Sequence, residues 1–449
     1  MQESVDFLND YINHKLEVET SASQIAKNLK IIRKEDKKKF LELLKKLPND
    51  IFGEVVLELP DYYIKNIVEN VSKEQLKEAI EELESDDATD LIQDIEEADS
   101  IKAEQILSTL DEEDQEEIKK LKRYDEDQAG AYMQTEVFKA FYDEKIQDSL
   151  ARLRKDKLEG KLENIHHLFI VDSLGRLIFS IGLEDLILFD FSKTFKEELK
   201  DKEDNFLPKY VKDDDNIEEV VHIFEDYDLA TLPIVDYNNK LIGRITADDI
   251  YDFIQDSATE QIYGLAGVDE EAEHDESIKE AGKSRASWLF VNLITAILAS
   301  FVIGIFDNTI QSYVALAVLM PIVASMGGNA GTQTLTIMVR QLAIGEVDFK
   351  NAKEAIKKEL ILSVSNGVLF GLVMGIVAYL WFGNIKLSLV LSSSMLINLL
   401  SAGLCGAVIP LALKKLDIDP AVGSTVILTT VTDIVGFFSF LGLASLVLL

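Results

Sequence analysis

The sequence predicts a multi-domain membrane protein, because charged and apolar residues are segregated along the chain and an internal repeat lies in the acidic part. Lys and Arg number 35 against 72 Asp and Glu in residues 1–282, and 10 against 8 in residues 283–449, so net charges of −37 and +2 sum to −35. We predict an all-α helical N-terminal domain (1–128), an α/β pair of modules (129–192 and 193–251), a long connecting helix (252–286) and an all-α transmembrane domain of five helices (287–449).

Short amphipathic helices are predicted for residues 1–128. Apolar residues recur there at helical spacing between acidic turns, and Leu-Pro steps separate the segments, as in FLELLKKLPNDIFGEVVLELP. The first residues have neither a basic segment nor an uninterrupted apolar one, so we expect no cleaved secretory signal.

The excess of carboxylates argues against a nucleic-acid partner, because phosphate binding needs a concentrated basic face. Cations are the natural partners of such a surface, although acid of this kind also keeps a large domain soluble. The single cysteine, Cys405, lies in an apolar run, so we expect neither a disulfide framework nor a Cys-based metal site. No set of nucleophile, base and orienting residue is found, so we expect no enzyme.

An internal repeat is found when the chain is shifted by 64 positions. The shift aligns LFIVDSLGRLIFSIGLEDLI (Leu168–Ile187) with LPIVDYNNKLIGRITADDIY (Leu232–Tyr251). Each copy predicts a strand that ends in Asp172 or Asp236, a turn, a second strand and a helix with an acidic first turn. Favourable interaction with the helix dipole explains those acids individually.

Five apolar runs are long enough to cross a hydrocarbon core, which takes about 20 helical residues. They are Trp288–Phe306, Val314–Val339, Leu360–Phe382, Leu387–Leu413 and Ala421–Leu449. Nine Lys or Arg flank the runs on one side and only Lys386 on the other. Because cytoplasmic loops carry the excess of positive charge, we expect residues 1–282 in the cytosol and the C-terminus outside.

Helix-breaking residues interrupt the second run, namely Pro321, Gly327, Gly328 and Gly331. Backbone freed by such residues cannot face lipid, so this stretch is expected to face protein or a water-filled cavity. Close packing of helices explains the glycines equally well. Asn329 favours a polar lining, and we predict Gly328, Asn329 and Gly331 as pore-lining residues.

Asp433 lies near the middle of the fifth run, with twelve residues before it and sixteen after it. A carboxylate at this depth is costly unless it is paired or hydrated, and no basic residue lies within the five cores. Thr429 and Thr425 precede it on one helix face and complete a ladder of oxygens. We predict a cation site in a pore. The alternative is a protonated Asp433 that is hydrogen-bonded to a neighbouring helix.

The chemistry of this ladder favours a hard divalent ion. Oxygen donors without His or Cys suit Mg2+ or Ca2+ rather than zinc or copper. Because Mg2+ keeps several of its waters, one carboxylate with hydroxyls and carbonyls can hold it through those waters.

Two membrane motifs, PIVASMGGNAGTQ (Pro321–Gln333) and DPAVGSTVILTTVTDIVGFF (Asp419–Phe438), carry a family resemblance. The repeat resembles a tandem CBS pair, and the second copy matches better, since Phe169 and Phe179 replace the usual proline and glycine in the first. With the helical domain, these features resemble the MgtE-type magnesium channels over nearly the whole chain.

The resemblance implies a Mg2+-selective channel or transporter that takes up magnesium across the cytoplasmic membrane. It implies a homodimer in which Asp433 of both chains holds a hydrated Mg2+, and a connecting helix that acts as a plug. Further Mg2+ ions on cytosolic carboxylates would close the pore. The matching positions are Asp419, Asp249, Asp252, Glu260, Asp90 and Asp94, with Glu218, Glu225 and Asp228 as candidates on the second CBS copy.

The resemblance also raises ATP as a ligand of the CBS pair, although Phe169 and Phe179 disfavour a nucleotide site in the first copy. Ser257 and Gln261 stand where the family can have further acids, so one or two regulatory sites are expected to be missing or weaker.

Other interpretations use the same features. A mid-membrane acid also serves a secondary transporter that couples Mg2+ to Na+ or H+. Selectivity among Mg2+, Mn2+, Co2+ and Ni2+ stays open. A sensor that is merely anchored by its spans is a third hypothesis, but an anchor needs neither five spans nor a buried acid.

Overall fold

The computed structural model describes residues 1–14, 20–162, 164–268, 278–416 and 418–449. The chain divides into two compact units, Met1–Ile254 and Gln255–Leu449. Each unit has hydrophobic cores of its own. The connecting helix predicted at 252–286 includes residues 269–277, which lie outside the described residues.

Nine short helices are described in the N-terminal domain and surround one apolar core. Polar side chains cap several of them: Ser21, Asp36, Ser72 and Asp99 each accept a hydrogen bond from a backbone N–H of the following turn. The helices are α1 Gln2–Ile12, α2 Ala22–Glu35, α3 Lys37–Leu44, α4 Asn49–Leu57, α5 Ile64–Asn70, α6 Lys73–Glu81, α7 Ser85–Ala98, α8 Ser100–Leu107 and α9 Glu112–Leu121.

Two three-stranded sheets follow, and each combines one parallel with one antiparallel pairing. The register Phe169↔Ser180 in the first sheet recurs as Pro233↔Arg244 in the second, which confirms the repeat. The strands are β1 Lys139–Phe141, β2 His167–Val171, β3 Leu177–Gly182, β4 Val211–Lys212, β5 Thr231–Val235 and β6 Leu241–Thr246. The helices are α10 Ile146–Leu158, α11 Leu183–Leu186, α12 Phe195–Leu199, α13 Ile217–Tyr227 and α14 Ala247–Ala266.

Arg244 of β6 links the N-terminal domain to both modules. Its side chain is 3% exposed and donates to Gln134 Oε1 at 3.1 Å and to the carbonyl oxygen of Asn164 at 3.1 Å. Nη2 lies 3.5 Å from Oε1 of Glu84, the residue just before α7. A buried guanidinium needs such partners for its charge and its donors. These contacts bring the start of α7 close to the start of α14.

The second unit contains five described helices that are long and apolar enough to cross a membrane. We call them the first to fifth spans. They are Ala281–Ile305, which continues a helix beginning at Ile278, then Ala315–Ala343, Ala352–Phe382, Ile385–Lys414 and Ser424–Leu448. Together with the helical domain and the paired mixed sheets, they confirm the predicted fold class.

The second span is one continuous helix with Pro321 inside it, so the helix-breaking residues interrupt the apolar run of the sequence but not the helix. Membrane helices tolerate proline where neighbouring helices re-satisfy the freed backbone groups. Gly327 and Gly331 are buried, and a Cβ on Gly331 would lie 3.0 Å from the Leu428 side chain. Both glycines therefore serve close helix packing.

Candidate functional site

Asp433 lies on the fifth span and is partly exposed in the single chain. No described residue donates a hydrogen bond to its carboxylate. Thr429 lies one turn earlier, and its hydroxyl donates to the carbonyl oxygen of Thr425 at 2.9 Å. Back-bonding of this kind turns the hydroxyl proton toward the helix and leaves the oxygen lone pairs free for a cation or its water shell.

Thr425, the earliest residue of the predicted ladder, contacts the connecting helix instead of the next turn of its own span. Its hydroxyl donates to the carbonyl oxygen of Leu265, in the last turn of α14, at 2.8 Å. Beside this bond Gly264 packs on Ala421, since a Cβ on Gly264 would lie 3.2 Å from Ala421 Cβ. The end of α14 and the start of the fifth span therefore form one contact within the second unit.

A polar stripe runs along the second span. It consists of Ser325, Asn329, Gln333 and Thr336, which are all exposed in the single chain and follow at helical spacing. The predicted pore-lining residue Asn329 belongs to this stripe. Gly328 has open space beside it, whereas Gly331 is turned inward against Leu428. Polar groups on a membrane helix are costly when they face lipid, so this stripe needs water or protein beside it.

A second carboxylate within a candidate span, Glu359 of the third span, was not predicted from the sequence. Its side chain is 6% exposed, and its Oε2 accepts a hydrogen bond from the Thr334 hydroxyl at 3.0 Å. The sequence signal was present, since Glu359 lies between two lysines and the first residue of the predicted apolar run, Leu360. Its position just before the predicted start of the run made it resemble an ordinary loop acid.

The structure brings Asp90 and Asp249 into one acidic cluster, together with Asp86 and Asp87, which the sequence interpretation did not single out. Asp86, Asp87 and Asp90 belong to α7, and Asp249 belongs to the first turn of α14. Asp249 Oδ2 accepts hydrogen bonds from the Thr246 hydroxyl at 2.7 Å and from its backbone N–H at 3.2 Å. We call these four carboxylates the α7–α14 cluster.

Ionisation of the α7–α14 cluster is unfavourable in the folded unit. Burial, and next the charge of Asp249, raise the pKa of Asp86 well above its usual range and that of Asp87 to about 7. Burial and neighbouring carboxylates raise the pKa of Asp249 to about 6. Asp90 is solvent-accessible at the rim, but partial desolvation and Asp249 still raise its pKa to about 6. The cluster therefore attracts protons or cations.

Other predicted ligands lie apart from this cluster. Asp94 faces Asp61, and burial followed by that charge raises its pKa to about 7. The remaining candidates are exposed: Glu218, Glu225 and Asp228 on or at the end of α13, Asp252 and Glu260 on α14, and Asp419 before the fifth span. Asp228 has φ +49° and ends α13, a role that asparagine and aspartate often fill. Asp419 accepts from the Ala421 N–H at 2.8 Å.

No three or more His, Cys, Asp or Glu side chains in the described ranges are arranged as a ready metal cage. A fully dehydrated ion needs such a cage, whereas Mg2+ dehydrates reluctantly and binds through few carboxylates.

Comparison with known families matches three segments of the chain. Residues 320–443 match the MgtE family described as a divalent cation transporter, residues 23–127 match the MgtE intracellular N domain, and residues 208–256 match the CBS domain.

Curated relatives match over most of the chain. The magnesium transporter MgtE of Enterococcus faecalis is 32% identical over 330 residues, which cover 74% of this chain and 71% of the relative. The magnesium transporter MgtE of Thermus thermophilus is 30% identical over 350 residues, covering 77% and 75%. The crystal structure of the cytosolic domain of the Mg2+ channel MgtE in complex with ATP has 26% identity and a TM-score of 0.48, covering 56% of this chain and 93% of that one.

Proposed function

The chain belongs to the MgtE family, and on that premise we propose that it conducts Mg2+ across the cytoplasmic membrane along the polar faces of the second and fifth spans. The observation that carries this proposal is Asp433, a carboxylate without a described donor in the middle of an apolar helix. Because a bare carboxylate at this depth is costly, a hydrated cation beside it stabilises the site. Thr429 adds an oxygen one turn away.

A homodimer fits the exposure of these faces. In the single chain the polar stripe of the second span is open, and Asp433 is only partly covered. Lipid cannot satisfy those groups, whereas a second copy across a water-filled path can. Two facing Asp433 carboxylates would then share one hydrated Mg2+ ion.

The distribution of basic residues supports a cytosolic N-terminus and an outside C-terminus. Nine Lys or Arg flank the spans on the first side and Lys386 alone on the other. With five spans, the two ends of the chain lie on opposite sides.

Regulation by cytosolic Mg2+ is the second part of the proposal. The α7–α14 cluster holds four carboxylates whose ionisation is resisted by burial and mutual repulsion. A divalent ion reverses that repulsion and binds the closed arrangement better than the open one. Shifting an equilibrium from 1:99 to 99:1 takes about 5.5 kcal/mol of differential binding, which several weak sites supply together.

ATP is a minor part of the proposal and is assigned to the second CBS copy. In the first copy, Phe169 and Phe179 are buried side chains, at 2% and 4% exposure. They occupy space where a smaller residue would leave room for a ligand.

Electrical recording from purified protein in planar bilayers tests the proposal. At low cytosolic Mg2+ we expect a Mg2+ current that Asp433→Asn abolishes, because the neutral amide no longer attracts the ion. Asp307→Asn is the matched control, since Asp307 lies in the short helix between the first two spans and is exposed. Absence of current from the unmodified protein, or an undiminished current in Asp433→Asn, contradicts the proposal.

A further inference from the structure

Asn398 is a fully buried amide at the point where the second, fourth and fifth spans meet. Its side chain is 1% exposed. Nδ2 donates a hydrogen bond to the carbonyl oxygen of Val323 in the second span at 2.8 Å. The fourth span is thus joined to the backbone of the second span by a side chain that neither lipid nor water reaches.

Two glycines make room for this amide. A Cβ on Gly327 of the second span would collide with the Asn398 side chain, and a Cβ on Gly436 of the fifth span would lie 2.7 Å from Nδ2. Gly436 comes three residues after Asp433, less than one helical turn away. Asn398 therefore separates and aligns the two helices that carry the proposed ion path.

The other end of the amide has no described partner. Oδ1 of Asn398 is buried and accepts no hydrogen bond from a described residue. The two ends are not interchangeable, because only the nitrogen can donate to the Val323 carbonyl. An unsatisfied buried acceptor is destabilising, and an apolar side chain of the same branching avoids that penalty. The unsatisfied oxygen therefore offsets part of the stability that the Val323 hydrogen bond contributes, and the direction of that bond is what an apolar side chain does not supply.

We propose that Asn398 is a positioning residue for the ion path, and that it fixes the fifth span against the second so that Asp433 faces the polar stripe. The inference rests on the proposed function. A directional hydrogen bond fixes both the height and the rotation of a helix, whereas apolar contacts between smooth helix faces permit sliding. Wedged between Gly327 and Gly436, the amide transmits that constraint to the turn after Asp433.

The first experiment separates positioning from stability. Asn398→Leu, in the full-length protein, removes the directional bond and the unsatisfied oxygen while keeping the branching. We expect a thermal midpoint that is unchanged or higher, a Mg2+ flux lower by about tenfold or more, and a changed ratio of Mg2+ to Co2+ flux. Ser394→Ala is the matched control, because Ser394 is buried on the same span but bonds within its own helix, to Leu391.

A second variant covers the case in which leucine does not fit. Asn398→Ala combined with Gly436→Ala refills part of the space without restoring the hydrogen bond. We expect this pair to regain the folded, monodisperse state that Asn398→Ala loses, but not the Mg2+ to Co2+ ratio of the unmodified protein. Full recovery of the ratio with packing alone overturns the inference.

A third measurement does not depend on conduction. Cys405 is the only cysteine of the chain, so Cys405→Ser with Asp433→Cys leaves one thiol at the ion-path position. We expect Asn398→Leu to change its modification rate by a small cationic thiosulfonate about fivefold or more, since accessibility follows position. Ser394→Ala should leave the rate unchanged.

The outcomes distinguish this inference from the proposed function. If the unmodified protein carries no Mg2+ current, the proposed function fails, and the thiol rate alone decides whether Asn398 positions residue 433. An unchanged thiol rate, or a loss of thermal stability as the sole effect of Asn398→Leu, overturns the positioning role.

Discussion

The Thr425 hydroxyl donates a hydrogen bond to the carbonyl oxygen of Leu265, and this bond joins the last turn of α14 to the first turn of the fifth span. The last carbonyl groups of a helix have no partner within the helix. Thr425 therefore caps α14 from another element. Its hydroxyl proton is committed to that cap rather than to its own helix.

Thr425→Val removes the cap and keeps the shape of the side chain. If the cap holds the closed pore, its loss costs about 1 kcal/mol, or a factor of about five in the closed-to-open equilibrium. The Mg2+ concentration for half-closure then rises by less than about fivefold, because several ions share the closure. Open probability against cytosolic Mg2+ measures this shift. The unitary current distinguishes the two roles of Thr425, since it falls only if the hydroxyl is also an ion ligand. Thr430→Val is the control, because Thr430 bonds within its own helix to Val426.

Asp249→Asn tests the α7–α14 cluster as a Mg2+ sensor. Without Mg2+, we expect less repulsion among the remaining carboxylates of the cluster. We also expect the Mg2+ concentration for half-maximal protease protection to rise severalfold, because one ligand charge is lost. Closure should persist at high Mg2+, since other sites contribute. Asp248→Asn is the matched control on the same turn, where Asp248 is exposed. If the two variants have equal effects, the carboxylates of this turn contribute to solubility and not to Mg2+ sensing.

The contact between the start of α7 and the first turn of α14 should depend on pH, because the pKa values of its carboxylates are raised. The pKa of Asp87 is about 7 and that of Asp249 about 6, against a usual 3.8, so the folded contact retains protons that the separated groups release. The stability of the contact is complete below about pH 4 and is lost as pH rises to about 7. Without Mg2+, amide exchange in α7, corrected for intrinsic rates, should be slower at pH 5.5 than at pH 8. Mg2+ should restore protection at pH 8. If the protection of α7 does not change with pH, the proposed role of the α7–α14 cluster is contradicted.

Thr334→Val leaves the Glu359 carboxylate without its described donor. We expect a loss of about 1–3 kcal/mol in unfolding free energy, the cost of an unsatisfied buried group, seen as a lower thermal midpoint in detergent. Adding Glu359→Gln should recover part of it. Ser365→Ala is the control, because Ser365 is exposed on the same span and bonds to Ile361 in its own helix. An unchanged thermal midpoint in Thr334→Val would mean that water donates a hydrogen bond to the Glu359 carboxylate in place of Thr334.

The elements that depend on local pattern were predictable from the sequence. The repeat around Asp172 and Asp236 and the five apolar runs carry their signal in short windows, because alternation and run length are local properties. Whether the second span stays one helix could not be predicted, for a nonlocal reason. Whether Pro321 or Gly327 breaks a helix depends on the neighbouring helices that accept the freed groups.

The acidic residues of the candidate site could be predicted from the sequence, but the residues that contact them could not. Asp433, Asp90 and Asp249 are conspicuous by position or by motif. Asp86 joins them only because the first turn of α14 comes close to the start of α7. Thr425 bonds to a backbone carbonyl, which no residue type reveals. Asn398 did leave a signal, since an amide inside an apolar run is unusual, but its partners Val323 and Gly436 lie on other helices.

The Arg244 side chain bonds to three residues that precede it in the chain, with Glu84 160 positions, Gln134 110 positions and Asn164 80 positions earlier. During synthesis the N-terminal helices and the first module emerge well before the guanidinium that holds them together. Until residue 249 has also emerged, Asp86, Asp87 and Asp90 of α7 lack the charge of Asp249 beside them. Completion of the acidic cluster is a late event in assembly: a ribosome-bound chain that stops before residue 249 has α7 packed in its own helical domain but lacks the fourth carboxylate, so Mg2+ should not change the protease sensitivity of α7 in that chain.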